Sequence, residues 1–379
     1  MYEQISRLQF IFLMFWLVIG TGILLLPLTI AQFVIHDAWM VGPIFILGTF
    51  FLSGIVYLFV RVFPGQNLIE ALQTAFGPWP GRVLGVWLLV WMFLNNCLIF
   101  REMTLFVTIN FFPNTPIYVS AAVFMVPVIY AVFKGIEVVG RVAEIISPWA
   151  IGTTFALYLL ALQNADFSNV LPLLADGFSP VLRASLVPWM FATNFIIALL
   201  MVRNLKEPRK MGKDVLISGV AVGLTGLLAE SVTSLVLGPI RSSSLFPVLE
   251  VIRTIRIGTF LERLDPLYVI TVITTMFLNV AALFYTMLVA VQSLFGCKSY
   301  RPFVTAGALA VGTGTFFLME NSGRLLEYVM YTAPGYYFVT ALGIPILAIV
   351  VQWAKRLLTR NRPQGRRPAG SGGASAAKP

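Results

Sequence analysis

Gly20-Thr21-Gly22 and Pro27 interrupt the middle of the first apolar segment, residues 10–35. The bilayer has no water to satisfy a loosened backbone, so such an interruption survives only where it lines a protein cavity. If the helix unwinds here, backbone N–H groups become free, and the N-terminus of a helix favours a carboxylate. The pattern predicts a buried site for a small charged molecule. The alternative is that the glycines only let two helices approach closely.

A second interruption lies in the sixth apolar segment, where Pro188 precedes Thr193 and Asn194. Corresponding interruptions in the two halves of a chain are the best sequence sign of a transporter-type site between structural repeats. A polar residue of the third segment, Asn96, is expected to face the same site. The predicted ligand-binding residues are therefore Gly20, Thr21, Gly22, Ile23, Asn96, Thr193 and Asn194.

Polar side chains of the seventh and eighth segments define a second predicted site, for a cation or a proton. Glu230 is expected to be a buried carboxylate that binds a proton or pairs with a basic group, or else a structural hydrogen-bond partner. Thr274 and Thr275 lie with Thr271 and Asn279 at helical spacing, and their oxygens suit sodium. Threonine in a membrane helix can instead bond its own backbone.

The sequence contains no catalytic constellation. His36 is the single histidine and stands beside Asp37, without the partners that a metal site or a nucleophilic triad requires. A phosphate-binding loop of the G-x-x-x-x-G-K-S/T kind is missing. We therefore expect no enzyme and no cofactor, with Na⁺ or H⁺ as a possible coupling ion.

The composition is that of a membrane protein. The 379 residues are 58% hydrophobic and 11% charged, whereas soluble domains carry about 25% charged residues. Cys97 and Cys297 imply no disulfide framework. Helical spans need about 20 apolar residues, and ten such spans are predicted, the first being retained rather than cleaved as a signal peptide. They cover residues 10–35, 38–60, 82–111, 117–134, 142–163, 184–203, 214–238, 266–295, 303–320 and 334–354.

Basic residues predict that both termini are cytoplasmic. This orientation places 19 of the 26 lysines and arginines on the cytoplasmic side. Six lie in outer connections, Arg241 among them. Arg101 falls inside the third span, which we expect to end near residue 100, so that Arg101 and Glu102 lie at the outer interface. The alternative places this pair inside the membrane.

Three segments outside the spans have predicted roles. Residues 67–76 form an amphipathic stretch at the cytoplasmic surface. Residues 244–264 have a helical pattern and are expected to cap the outer face. Residues 359–379 are rich in Pro, Gly, Arg and Ala, which predicts a disordered basic tail against anionic lipid. Residues 1–358 make up the membrane domain.

Several short stretches carry a family resemblance. Ile5-Ser6-Arg7-Leu8-Gln9 leads into residues 19–27, and Leu205-Lys206-Glu207-Pro208-Arg209-Lys210 follows span six. Phe260-Leu261-Glu262-Arg263-Leu264-Asp265 before span eight is the most specific of them, and residues 292–296 and 300–302 complete the set. Through these stretches the chain resembles the B subunits of spore germination receptors, the GerAB-type permeases, up to about residue 358.

The resemblance implies an all-α membrane fold of ten helices. In the related amino acid–polyamine–organocation transporters, helices 1 and 6 are broken and two five-helix repeats are inverted, as in the LeuT-like fold. It also implies a place in the inner membrane of the spore, with an A subunit and a lipoprotein C subunit as partners and a nutrient such as an amino acid as ligand. Many relatives carry Glu where this chain has Asn194, which puts a contact with a ligand ammonium in doubt.

Three functions compete at this point. The first is a germinant-sensing subunit, in which ligand binding between spans one, three, six and eight biases the fold towards a state that its partners detect. The second is a cation-coupled amino acid permease that uses the same site. The third is a structural scaffold, which gives the broken helices no purpose.

Overall fold

The computed structural model describes residues 3–256, 263–318 and 322–360, which form helices joined by short loops. The α-helices are, in chain order, α1 (Arg7–Ala31), α2 (Val41–Val62), α3 (Leu68–Phe76), α4 (Pro78–Asn110), α5 (Ile117–Lys134), α6 (Ile136–Ala161), α7 (Ser179–Ala192), α8 (Met211–Leu237), α9 (Pro247–Arg253), α10 (Asp265–Phe295), α11 (Val304–Leu318), α12 (Ser322–Glu327), α13 (Ala333–Phe338) and α14 (Ile344–Arg360). The 3₁₀ helices are Ala38–Met40, Leu162–Asn164, Phe167–Val170, Thr193–Leu200, Val202–Asn204, Pro208–Lys210, Gly238–Ser243 and Arg301–Phe303.

The helices form a multi-span membrane protein, as the composition predicts. Among the described residues, eight helices are long and apolar enough to cross a bilayer: Ala38–Val62, Pro78–Asn110, Ile117–Lys134, Ile136–Asn164, Ser179–Leu200, Pro208–Ser243, Asp265–Phe295 and Leu325–Leu358. Helix α1 is a ninth candidate span if its two halves, which are bent relative to each other, count as one span. α11, with 15 residues, adjoins residues outside the described ranges, so the count of ten and the inverted repeat stay predictions.

The first span is a buried, bent helix. Ser6 caps α1 by accepting a hydrogen bond from the amide of Gln9 (3.2 Å), and the Gln9 side chain accepts one from the amide of Ser6 (3.0 Å). The helix then bends by 42° between Arg7–Gly20 and Gly22–Ala31. Pro27 has no amide hydrogen, which removes a further helix bond beyond the bend. The predicted interruption is therefore a bend within a continuous helix, not an unwound segment.

The sixth span changes helix type at the predicted interruption. α7 ends at Ala192, and the chain continues as a 3₁₀ helix over Thr193–Leu200. Runs of 3₁₀ helix longer than three or four residues are uncommon, and within a span they often mark a functional hinge. Pro188 lies about one turn before the change and weakens the α-helical bonding there.

The last described span contains two π-helical turns, Tyr328–Thr332 and Val339–Gly343, on either side of α13. Such turns inside membrane helices frequently lie at functional sites. They displace the helix face locally and turn the buried Tyr337 towards the centre of the protein.

Glycines let the helices pack with their backbones in contact. A Cβ atom on Gly42 of α2 would lie 2.7 Å from the Cβ of Leu227 and 2.9 Å from its Cα, on α8. Gly219 of α8 faces Thr49 of α2 with similarly little room. Helix association in lipid depends on such small residues, because the bilayer provides no hydrophobic driving force between helices.

Arg101 and Glu102 lie inside the third span, which corrects their expected position at the outer interface. α4 continues to Asn110, about two turns beyond Glu102. The two side chains are only 5% and 2% exposed, and the Arg101 guanidinium carbon lies 5.6 Å from the centre of the Phe316 ring.

The amphipathic stretch before α4 is confirmed as helix α3. Asn67 caps it by accepting from the amide of Glu70 (3.0 Å), and Leu68, Ile69 and Leu72 are buried. Residues 244–264 contain helix α9. Part of that segment, including Phe260-Leu261-Glu262 of the family stretch, lies outside the described residues, as does the basic tail from residue 361.

Gly42→Ala tests the close packing of α2 on α8. Because the added methyl would overlap the Leu227 backbone, we expect a loss of about 1–3 kcal/mol of stability. Gly54→Ala on the same helix is the matched control, since its Cβ would meet no atom within 4 Å. Thermal unfolding of the two variants in detergent measures the difference, and equal midpoints would contradict this packing.

Candidate functional site

A chain of buried hydrogen bonds crosses the centre of the protein. The Asn95 Nδ2 atom donates to Asn194 Oδ1 over 2.7 Å, and the Tyr337 hydroxyl donates to Asn95 Oδ1 over 3.1 Å. Asn194 Nδ2 in turn donates to the carbonyl of Leu17 over 3.4 Å. We call Asn95, Asn194 and Tyr337 the central polar chain. Each of these residues is 1% exposed, so the central polar chain is closed to solvent.

Irregular backbone positions two of these three side chains. Asn194 is the second residue of the 3₁₀ helix that continues α7, and Tyr337 lies between two π-helical turns. Asn95 lies in the regular interior of α4. The Trp91 ring, one turn earlier on α4, packs edge-on against Tyr337 with ring centroids 5.4 Å apart. The central polar chain is therefore held by the 3₁₀ helix at Asn194, by the π-helical turns around Tyr337 and by one aromatic contact.

The contact with Asn194 is made by Asn95 and not by Asn96. The Asn96 amide donates to Met92 O (2.8 Å) on its own helix and lies near Leu283 O (3.5 Å) of α10. Thr193 donates its hydroxyl to Met190 O over 2.6 Å and is buried beside Asn194. Sequence reasoning missed Asn95 and Tyr337. The Asn95-Asn96 pair was visible, but adjacent helical residues point about 100° apart, and nothing in the sequence indicates which one faces Asn194.

The glycines of the first span have different surroundings. A Cβ on Gly20 would lie 2.9 Å from Asn279 Cβ and 3.1 Å from the Thr275 carbonyl oxygen, so Gly20 allows α1 to approach α10. Gly22 and Ile23 line a narrow cavity between α1, α2, α7 and α8. The Thr21 side chain lies outside the described part of the structure. Because α1 stays helical here, its N–H groups are not free for a carboxylate in this conformation.

The cavity beside Gly22 is apolar and small. The centres of water molecules can occupy about 40 Å³ of it, so it has room for one or a few waters. Its walls carry Pro27 and Pro188, the two prolines of the interrupted spans, and Glu230. An amino acid would enter this region only after the helices move apart.

Glu230 is buried and paired with a basic residue, which was one of its predicted roles. Its Oε2 atom lies 3.0 Å from Nη1 of Arg241, and the Arg241 side chain is fully buried. Arg241 also donates to Ser234 Oγ (2.8 Å), Val34 O (2.9 Å) and Ile35 O (3.2 Å). The sequence placed Arg241 in an outer connection, whereas the structure has it binding the backbone just beyond the end of α1.

The predicted cation ligands do not converge in this conformation. Thr274 donates to Ile270 O (2.7 Å) and Thr275 to Val272 O (3.0 Å), each on its own helix. Thr275 is buried and its carbonyl faces Gly20, while Thr274 lies on a more exposed face of α10. A sodium site at these residues stays a prediction.

Polar contacts fix the start of the first span at the opposite end of the protein. Glu3 accepts from the amide of Ile136 (2.8 Å), and Arg7 pairs with Asp214 (2.5 Å). The Tyr300 hydroxyl lies 3.5 Å from Glu3 Oε1. Burial raises the pKa of Tyr300 to about 12, and the charge of Glu3 acts in the same direction. The phenol therefore keeps its proton and donates.

Comparisons with known proteins agree with this architecture. A family model described as "Spore germination protein" matches residues 4–322. Spore germination protein KB of Bacillus subtilis (strain 168) is 28% identical over 352 residues, which cover 89% of this chain and 92% of that protein.

Two solved transporters share the fold. The crystal structure of MhsT in complex with L-phenylalanine aligns with a TM-score of 0.61 at 15% identity, over 93% of this chain and 89% of MhsT. Mhp1, a nucleobase-cation-symport-1 family transporter with bromovinylhydantoin bound, aligns with a TM-score of 0.58 at 14% identity, over 96% and 94% of the two chains.

Glu230→Leu tests the buried ion pair. It leaves the Arg241 guanidinium without its counter-charge, and we expect a loss of about 3–5 kcal/mol. Glu137→Leu, which removes an exposed pair with Arg141, should cost less than about 0.5 kcal/mol. Thermal unfolding in detergent compares the two variants. Equal losses for Glu230→Leu and Glu137→Leu would refute the pairing.

Proposed function

Because the chain belongs to the family of spore germination proteins, we propose that it is the germinant-sensing subunit of a spore germination receptor. Its ligand is a small nutrient, such as an amino acid. The subunit lies in the inner membrane of the spore, with both termini in the cytoplasm. The carrying observation is the central polar chain, which joins spans three, six and ten to the first span one turn before its bend.

The chemistry of the central polar chain suits a zwitterion. An asparagine amide both donates and accepts, so Asn95 and Asn194 together offer donors for a carboxylate and acceptors for an ammonium group. Asn194 is uncharged, so recognition of the ammonium rests on amide oxygens and not on a carboxylate. The bend at Gly20, Thr21, Gly22 and Ile23, with Thr193 across from it, supplies the remaining wall of the proposed site.

Ligand binding has to replace hydrogen bonds that the protein makes with itself. Asn95, Asn194 and Tyr337 are all buried and bonded to one another. A ligand that inserts between them selects a conformation in which spans one and six have separated. Such a ligand shifts the population only by its difference in affinity for the two states. The separated state is the one that the A and C subunits detect.

Transport and sensing are distinguished by measuring uptake. Vesicles that contain this chain alone are given radiolabelled amino acids, and both bound and accumulated label are counted. We expect saturable binding without net accumulation. Accumulation driven by a sodium or proton gradient would instead establish the permease function.

Asn95→Ser tests the proposed ligand site. Losing one hydrogen bond to a buried group costs about 1.4 kcal/mol, so the germinant concentration for half-maximal response should rise about tenfold. The assay is the fall in optical density of spores that carry this chain, with its partner subunits, as their only nutrient receptor.

Asn96→Ser is the control for this experiment. Asn96 is the next residue on α4 and is equally buried, but its amide bonds Met92 O of its own helix and Leu283 O of α10 and not Asn194. The half-maximal germinant concentration of Asn96→Ser should rise less than that of Asn95→Ser, with equal amounts of each variant in the spore membrane. An equal effect of the two substitutions would remove the reason for placing the ligand at Asn95.

A further inference from the structure

Two tyrosine hydroxyls are buried against the first span, near its bend. Tyr158 of α6 is 3% exposed and Tyr268 of α10 is 1% exposed. Neither hydroxyl has a hydrogen-bond partner among the described residues. A buried hydroxyl without a partner costs about 1–3 kcal/mol. Both hydroxyls line the same cavity, so an acceptor that enters it, a water or a ligand, can satisfy them.

Both tyrosines line one cavity between α1, α6, α8 and α10. The cavity encloses about 530 Å³ including its mouth, and about 60 Å³ of this is open to the centre of a water-sized molecule. The space inside is therefore small, and we call this cavity the slot. The other walls are mainly apolar and include Phe15, Ile19, Ile23 and Val272.

The mouth of the slot faces the lipid. Three of its lining residues on α6 and α8 are partly exposed on the flank of the spans: Ile151 (39%), Phe155 (48%) and Leu228 (39%). These large apolar side chains belong to the surface that a membrane covers. An occupant therefore enters from the hydrocarbon and not from water.

The polar groups of the slot restrict the head group of the occupant. Among the described residues, its lining contains no charged side chain, so a buried carboxylate or ammonium would lack a counter-charge within the slot. The hydroxyls of Thr271 and Thr275 already donate to carbonyls of α10. The two phenol hydroxyls remain without a partner among the described residues, and the Thr154 hydroxyl lines the same slot.

We propose that this slot, the Tyr158–Tyr268 site, binds a neutral amphiphile from the bilayer. A ketone or ester carbonyl of the amphiphile accepts hydrogen bonds from the two phenols, and its alkyl chain lies along Ile19 and Ile23. The site is separate from the central polar chain, and its existence does not rest on the proposed germinant-sensing function. An occupant would touch α1 on both sides of its bend.

Quenching of tryptophan fluorescence tests the site, because Trp16 also lines the slot. The purified full chain in detergent is titrated with a straight-chain methyl ketone that carries bromine at its far end. We expect saturable quenching that is lost in Trp16→Phe. In the double variant Tyr158→Phe/Tyr268→Phe the dissociation constant should rise at least about tenfold, and in each single variant about threefold.

Two controls show what occupies the site. The first separates binding through the carbonyl group from binding through the alkyl chain, and the second separates an added ketone from a membrane lipid. A bromoalkane of equal length should bind weakly and equally to the original chain and to the double variant. Vesicles of phospholipid brominated on the acyl chain should quench Trp16 in the original chain more than in the double variant if a lipid ester carbonyl occupies the site. If these vesicles quench the original chain and the double variant equally, the site is supported by binding of the bromoketone alone.

The proposal fails if the double variant binds the bromoketone as tightly as the original chain while eluting as a folded monodisperse protein. It also fails if the bromoalkane binds as tightly as the bromoketone. Ordered water bonded to both hydroxyls in an experimental structure, with no saturable quenching, would likewise overturn it.

Discussion

The hydrogen bond between Asn95 and Asn194 is the contact on which the centre of this protein depends. A polar amide in a membrane interior needs an internal partner, because no water is present to replace it. Each of these two amides has a second partner, Tyr337 for Asn95 and the Leu17 carbonyl for Asn194. Spans three and six and the last described span are thereby joined to the first span, and any separation of these spans has to break a buried bond.

The first span is held at both ends and bent in its middle. Arg7 pairs with Asp214 of α8 near its start. At the other end, Arg241 binds the carbonyls of Val34 and Ile35 and is neutralised by Glu230. Both ends are thus attached to α8 or to the turn that follows it. A rearrangement of the first span that keeps these contacts is concentrated at the 42° bend between Gly20 and Gly22.

The sequence was sufficient to predict the membrane class, the helical fold and the positions of the two interruptions, because glycine, proline and apolar length act locally. It also predicted that Glu230 is a buried carboxylate. It named Asn96, whereas Asn95 is the residue that bonds Asn194, because the face that each residue presents depends on the rotation of α4. Tyr337 and Arg241 were missed because their roles arise from contacts between residues far apart in the chain, and Arg241 read as an ordinary loop charge.

Two parts of the structure meet at the same bend from different sides. The central polar chain touches α1 at the Leu17 carbonyl, about one turn before Gly20. The Tyr158–Tyr268 site touches it at Ile19 and Ile23. If each occupant prefers one angle of the bend, the two are linked, and each must change the affinity of the other by the same factor. In a helix fixed at both ends, the membrane and the nutrient would then act on one shared element, and a change of lipid composition would alter the response to the nutrient without any change in its binding residues.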